Sequence, residues 1–419
     1  MAIVKPFFCY RPKEEEAAQV AALPYDVYSR SEAKQAVEGN PLSFLNIDRA
    51  ETQFPDEVGT YDSRVYEKAK ELLQARIGDQ TFVTDGGDFY YIYQLTMEGR
   101  SQTGLVACCA VDDYLEGVIK KHENTREEKE LDRIRHVAVT GAHTGPIFLA
   151  YRGNGRLSGL LGLAMKEAPL YDFTAEDGVE HKVWRVSSPG LAAEIEAAFK
   201  EIPSLYIADG HHRAASAVKV GLMRREENPG YTGKEPFNFF LSVLFAAEEL
   251  KILPYNRVVE DLNGLSPEEF LEAVQRHFQV ERLGKTAFAP ERKGEFGLLL
   301  DGVWYRLKAG EECAGKDPVG RLDVSVLQDW ILGPILGIGD PRTDGRIDFI
   351  GGIRGLGELE RRCSEDMRAA FSMYPTSMEE LLAVADGGLL MPPKSTWFEP
   401  KLRSGLFVHP LWEAETGGK

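Results

Sequence analysis

The chain has 419 residues, 43% of them hydrophobic and 27% charged, which is the composition of an ordinary globular protein with room for two or three cored domains. Its 66 acidic residues against 49 basic ones give a net charge of −17, and no basic run interrupts the sequence, so nucleic acid is disfavoured as the main partner. No stretch approaches the roughly 20 apolar residues of a membrane span, and the opening MAIVKPFFCYRPKEEE meets charge and proline too early for a signal peptide.

Five scattered cysteines (Cys9, Cys108, Cys109, Cys313 and Cys363) lack CxxC spacing and fit buried thiols in a reducing compartment. The expected location is cytoplasmic.

In chain order, two helical stretches are predicted over 14–23 and 61–76, separated by the turn-rich segments LPYDVYS and GNPLSFLNIDRAE. Residues 81–114 alternate apolar and polar, broken at Gly86-Gly87 and at Glu98-Gly99, which predicts antiparallel hairpins. Next comes a charged helix, capped by Asn124 or Thr125 with TREE resembling a capping box, followed by a strand over 146–151. Residues 152–203 read as an insertion: a glycine-rich loop GNGRLSG, a hairpin through 179–186 and a helix over 191–200. After a strand over 237–246 a boundary is set near residue 255. The predicted division is 1–255 and 256–419, the latter an α+β region. Its helices fall over 267–277, 324–332, 356–370 and 377–385, with a hairpin at 296–307. The fold class expected is mixed α+β.

The stretch that carries chemistry is YIADGHHRAASA, Tyr206 to Ala217. Its first residues read as a buried strand, and those after Arg213 are mostly good helix formers. Asp209 is a candidate N-cap, and Gly210 tolerates whatever dihedrals the turn demands. His211, His212 and Arg213 then occupy the first helical turn, where free N–H groups and the dipole already make the potential positive. Cations there are resolved by an incoming anion. Phosphate fits best, bound by backbone N–H groups, the Arg213 fork and histidine donors. A metal held by both adjacent histidines is awkward, since they point about 100° apart on a helix.

Two further segments are rich in donors. HEN, His122-Glu123-Asn124, starts like a zinc-protease motif but has arginine at 126, and is followed by Arg133, Arg135, His136 and His143. MPPKSTWFEPKLRSGL offers Lys394, Ser395, Thr396, Lys401 and Arg403 between prolines, without the GxxxxG of a P-loop. Lys394 is expected to fold back and complete the anion site.

The Asp209–Arg213 turn resembles the signature of the ParB/sulfiredoxin superfamily, in which a strand leads to Gly-x-x-Arg at a helix start that binds nucleotide phosphates. Sulfiredoxins have cysteine where His211 stands, so sulfinic-acid reduction is not expected. The turn is most similar to the free-serine kinase branch, whose turn is Asp-Gly-His-His-Arg with a His-Glu pair upstream and a Pro-Ile strand between. Here these are His122-Glu123, Pro146-Ile147 and Asp209–Arg213, so the resemblance covers about residues 115–225, interrupted by 152–203. It implies a kinase of a small hydroxylated metabolite, serine or similar, using ATP or ADP with Mg²⁺. In it Glu123 acts as base, Asp209 holds the metal or orients the acceptor, and His122, Gly210, His211, His212 and Arg213 bind nucleotide. Separately, LPYDVYS, LPYNRVV and MPPKSTWFEPK resemble a widespread bacterial family of unknown function. Two other classes fit the turn: a nucleotide-sensing protein that signals to a protein partner, and a ParB-like nucleic-acid-associated factor.

Overall fold

The computed structural model describes residues 1–412, so the end of the region predicted as 256–419 lies outside the described residues. The chain forms two compact units, Met1–Leu250 together with the chain from Pro400 onward, and Lys251–Glu399. Residues 400–412, expected with the second domain, therefore belong to the first. Their backbone accounts for this: Ser404 bridges Ala22, Val408 bridges Tyr10, and His409–Pro410 pairs with Ala142–His143.

The first unit is built on a nine-stranded mixed sheet. Its order is Ile119–Lys120, Leu205–Asp209, Ile147–Tyr151, Phe239–Ala246, Arg100–Ala110, Tyr91–Met97, Glu180–Arg185 and Tyr171–Thr174, with Val4–Lys5 also against Arg100–Ala110. Phe239–Ala246 lies parallel to Ile147–Tyr151 and antiparallel to Arg100–Ala110, and all its residues are buried. A strand covered on both faces has no reason to alternate, which explains the unbroken apolar run FFLSVLFA. The hairpin at Glu98-Gly99 forms as expected, both residues taking positive φ (52° and 75°) as a tight hairpin turn requires. Gly86-Gly87 instead stays inside the strand Phe82–Phe89, whose register against Phe7–Pro12 shifts there.

Residues 152–203 are integral to this unit. Glu180–Arg185 pairs with Tyr91–Met97 inside the main sheet. GNGRLSG is not a loop: Asn154 accepts from the N–H groups of Arg156 and Leu157 and starts the helix Gly155–Ala164. Leu157, Leu161, Ile195 and Phe199 pack into the core with Leu149, Leu205, Ile207 and Val218. Truncating fully buried Phe199 to alanine would cost about 3–5 kcal/mol. These leucines outweigh the glycines that suggested a loop.

Elsewhere the helix expected over 14–23 shrinks to a turn and Ala17–Val20, because Ala22 leaves to bridge Ser404. The helix Glu127–Thr140 begins after Arg126 with no side-chain cap, since the Thr125 hydroxyl is spent on Glu130.

The second unit is a six-stranded antiparallel sheet. The helix Gly355–Glu365 covers it, packing Leu359 against Val258, Leu299, Trp304 and Ala370. The helix predicted over 356–370 ends at Glu365, and Ala369–Met373 is a buried strand between two neighbours. A mixed α+β fold describes both units.

Candidate functional site

The strand Leu205–Asp209 ends at the expected aspartate and the helix His211–Glu227 starts two residues on. Gly210, not Asp209, is the N-cap residue, with φ 91° in the left-handed region. A Cβ at Gly210 would sit 3.1 Å from the Arg213 guanidinium, so glycine serves both the dihedral and the close approach. Asp209 remains part of the strand and accepts the Gly210 N–H at 2.7 Å through Oδ1.

The other oxygen of Asp209 meets Lys401 Nζ at 2.9 Å. Its packed surroundings would push this carboxyl up, but the Lys401 and Arg213 charges outweigh them and hold it well below the usual carboxylate range. Asp209, where Mg²⁺ is expected, thus has one oxygen bonded to the Gly210 N–H and the other to Lys401. Among the described residues no group of three or more His, Cys, Asp or Glu side chains converges to hold a metal ion.

His211 is buried, its Nδ1 3.8 Å from Glu123 Oε2 and its ring edge-on to His122 at 4.5 Å between centroids. The His122 N–H points at its Nε2 at a long 3.5 Å, which leaves the neutral ring's proton on Nδ1, facing Glu123. Burial, with His122 close by, keeps His211 well below the ordinary histidine value. His122 is itself buried with neither ring nitrogen hydrogen-bonded, and burial lowers it to about 4. Both rings are therefore neutral at pH 7. His212 accepts from the Arg126 N–H at 2.9 Å through Nε2, so its free proton is on Nδ1. Arg213 donates from Nη1 to the Pro146 carbonyl, while its Nε is buried without a hydrogen-bond partner.

The structure thus gathers His122, Glu123, Asp209, Gly210, His211, His212 and Arg213 around one helix N-terminus. It offers oriented N–H groups, a lysine, an arginine with an orphan donor, and a half-exposed carboxylate next to a neutral imidazole. Lys394 lies in the second unit with its ammonium 5.4 Å over the Tyr255 ring and its carbonyl accepting from Arg257. Lys401, from the same donor-rich segment, is the residue that meets Asp209. Its only signal in the sequence was that shared donor pattern, which does not say which lysine is used.

The family model described as Protein of unknown function (DUF1015) matches residues 4–325, most of the chain. The chain belongs to this family. The segment MPPKSTWFEPK lies beyond the matched residues. No curated protein matches. Similar solved structures include a mutant free serine kinase in complex with AMP, 15% identical over 72% of this chain and 92% of that one, with a TM-score of 0.36. A conserved hypothetical protein from Pyrococcus furiosus is 16% identical over 73% and 95%, at 0.34. SbnI with a C-terminal truncation, from Staphylococcus aureus, is 12% identical over 73% and 87%, at 0.39. Likeness at this level carries no argument about activity. No helix of the described residues is long and apolar enough to cross a membrane.

Proposed function

We propose that the first unit has a ParB/sulfiredoxin-like core and is a nucleotide-dependent phosphotransferase, transferring a phosphoryl group from ATP or ADP to the hydroxyl of a small metabolite. The observation that carries this reading is the Arg213 guanidinium at the start of a 17-residue helix, with an orphan Nε beside the Gly210 turn. A buried cationic donor without a partner at a positive helix end is a standing deficit that phosphate oxygens fill.

Each group then has a task. The turn's N–H groups, Arg213 and the Nδ1–H of His212 hold phosphate oxygens. Lys401 supplies a compact charge that moves between Asp209 and the incoming anion. Glu123 accepts the acceptor's hydroxyl proton as the new oxygen–phosphorus bond forms and the bridging oxygen–phosphorus bond of the nucleotide breaks. Neutral His211, its Nδ1–H facing Glu123, orients that carboxylate.

The test is a thermal-shift series of the full chain with ATP, ADP and AMP, followed by product analysis with serine and other small hydroxylated compounds. A nucleotide at 100 times its Kd should stabilise the fold by about 2.7 kcal/mol. No shift with any nucleotide, up to millimolar concentrations, would overturn the reading.

A further inference from the structure

Beside the Asp209–Arg213 turn a local preference of the sequence is overridden. Thr125-Arg126-Glu127-Glu128 carries the residues of a capping box, yet the helix Glu127–Thr140 starts with Arg126 as its N-cap and no side-chain cap. The Thr125 hydroxyl donates instead to Glu130 Oε2 at 2.6 Å. Giving up a cap costs the helix stability, so the bond to Glu130 serves something other than the helix itself. Glu130 is 7% exposed, and its other oxygen pairs with Lys219, whose side chain is 59% exposed. A buried carboxylate held by a largely solvated ammonium adds little stability, since an apolar side chain of similar size would fill the same space as well. Burial would push the Glu130 carboxyl up, but the bonds from Lys219 and Thr125 outweigh it and hold it below the usual carboxylate range. Glu130 is therefore charged at neutral pH.

What this carboxylate joins is the segment that carries Glu123 and the helix that starts at His211. Ser216, on the helix His211–Glu227, has its hydroxyl 3.1 Å from the Glu130 carbonyl and 2.6 Å from the His212 carbonyl, and Lys219 lies one turn further along. Residues 121–126, between the strand Ile119–Lys120 and the helix Glu127–Thr140, lie across the start of that same helix. The Arg126 N–H donates to His212 Nε2 at 2.9 Å, and Glu123 Oε2 is 3.8 Å from His211 Nδ1. The end of the segment is thus fixed twice, by the Thr125 side chain through Glu130 and by the Arg126 backbone through His212. Glu123 stands two positions before the first of these ties.

We infer that Glu130 is a positioning residue of the proposed phosphotransferase: kept charged by Lys219, it holds Thr125, and through Thr125 the Glu123 carboxylate, against the Asp209–Arg213 turn. The inference rests on the phosphotransferase reading. Glu130 takes no proton in the reaction. A base works only within hydrogen-bond distance of the proton it removes, so a segment that drifts lowers the rate of transfer. The groups that hold the nucleotide in that reading, namely the turn's N–H groups, Arg213 and Lys401, lie on other elements and do not depend on Thr125. Loosening the tie therefore lowers kcat and leaves nucleotide affinity in place, whereas a general loss of structure lowers both.

The experiment compares the wild-type full chain with Thr125→Val, Thr125→Ser, Glu130→Gln and the double variant Thr125→Val/Glu130→Gln. Phosphoryl transfer is measured with ATP and ADP as donors and L-serine as acceptor, and the affinity for each nucleotide is titrated beside it. Thr125→Val is expected to lower kcat at least tenfold with nucleotide affinity within threefold of the wild type. Thr125→Ser keeps the hydroxyl and is expected to stay within threefold in both. Glu130→Gln is expected to lose at least threefold in kcat, again with nucleotide affinity kept. Because the two residues act through one bond, the double variant falls no further than Thr125→Val. Undiminished kcat in a folded Thr125→Val, an equal loss in Thr125→Ser, or losses that multiply in the double variant overturn the inference. Should Thr125→Val not fold, Glu130→Gln decides by the same comparison, and an unchanged kcat overturns it. A wild type that transfers phosphate, with Thr125→Val equally active, removes only this inference. A wild type that binds nucleotide and transfers nothing removes the phosphotransferase reading, and the role of Glu130 in it.

Discussion

Lys401 Nζ stands 2.9 Å from Asp209 Oδ2, an ion pair between the strand that enters the Asp209–Arg213 turn and the stretch of chain that returns after the second unit. Both side chains are mostly withdrawn from water, at 12% and 29% exposure, so neither charge is well solvated without the other. Lys401→Ala is expected to destabilise the first unit by about 2 kcal/mol at pH 7, measured by denaturant unfolding. Lys401 depresses the Asp209 carboxyl. The pair's contribution is therefore complete at neutral pH, fades as the pH falls below the unfolded value of about 3.9, and is lost below the lower folded value. The variant's deficit should shrink in the same range. Nucleotide affinity should fall more in Lys401→Ala than in Lys394→Ala, whose ammonium rests over Tyr255.

Arg213→Lys keeps the charge but loses the planar fork and its bond to the Pro146 carbonyl. We expect nucleotide affinity to fall at least tenfold in a folded variant, as read by fluorescence of a labelled nucleotide. Unaltered affinity would mean that Arg213 serves only the packing of the turn.

Gly210→Ala tests the turn itself. The left-handed backbone and the 3.1 Å approach to the guanidinium both act against a methyl group, with an expected loss of about 1–3 kcal/mol. Nucleotide affinity should drop with it, because Arg213 must move. Thermal unfolding and nucleotide titration report the two effects separately.

Glu123→Gln keeps the shape and removes the base. Phosphoryl transfer should fall by roughly 10²–10⁴-fold while nucleotide binding persists, read by a product assay beside a binding assay. Retained turnover would remove Glu123 from the reaction.

Acid should weaken the fold through its buried histidines. His122 is held at about 4 by burial, below the ordinary value of about 6.5, so between those values the unfolded chain binds the proton and the folded chain does not. Stability therefore falls as the pH drops from about 6.5 to 4. His136 and His409, also near 4, add to the fall in the same direction. His122→Gln should remove about 2–3 kcal/mol of the loss seen between pH 7 and 4.5 in denaturant titrations.

The strand–turn–helix at Asp209–Arg213 was legible in the sequence because its signals are local: an apolar strand, a glycine, then helix formers. The Asp209–Lys401 pair was not, since no local pattern says which of two lysines between prolines will meet an aspartate in a distant part of the chain. For the same reason 152–203 looked like an insertion. A short strand such as Glu180–Arg185 does not announce its partner, and glycines at 153, 155 and 159 masked a helix that Asn154 caps and Leu157 and Leu161 anchor. The helix expected through 370 failed at AAFSM because sheet pairing overrode a run that suits either state.

The return of the chain from Pro400 has a consequence for how the protein is made. A ribosome that has released residues up to Leu250 has released every strand of the main sheet, but not the lysine that neutralises Asp209 or the strand that pairs with Ala142–His143. All of Lys251–Glu399 must emerge before either is supplied. The nascent first unit therefore waits with the Asp209 carboxylate facing Arg213 but not its ion-pair partner Lys401. The Asp209–Arg213 turn reaches its final form only after Lys401 has emerged, and a product terminated before residue 400 would carry the same turn without the lysine.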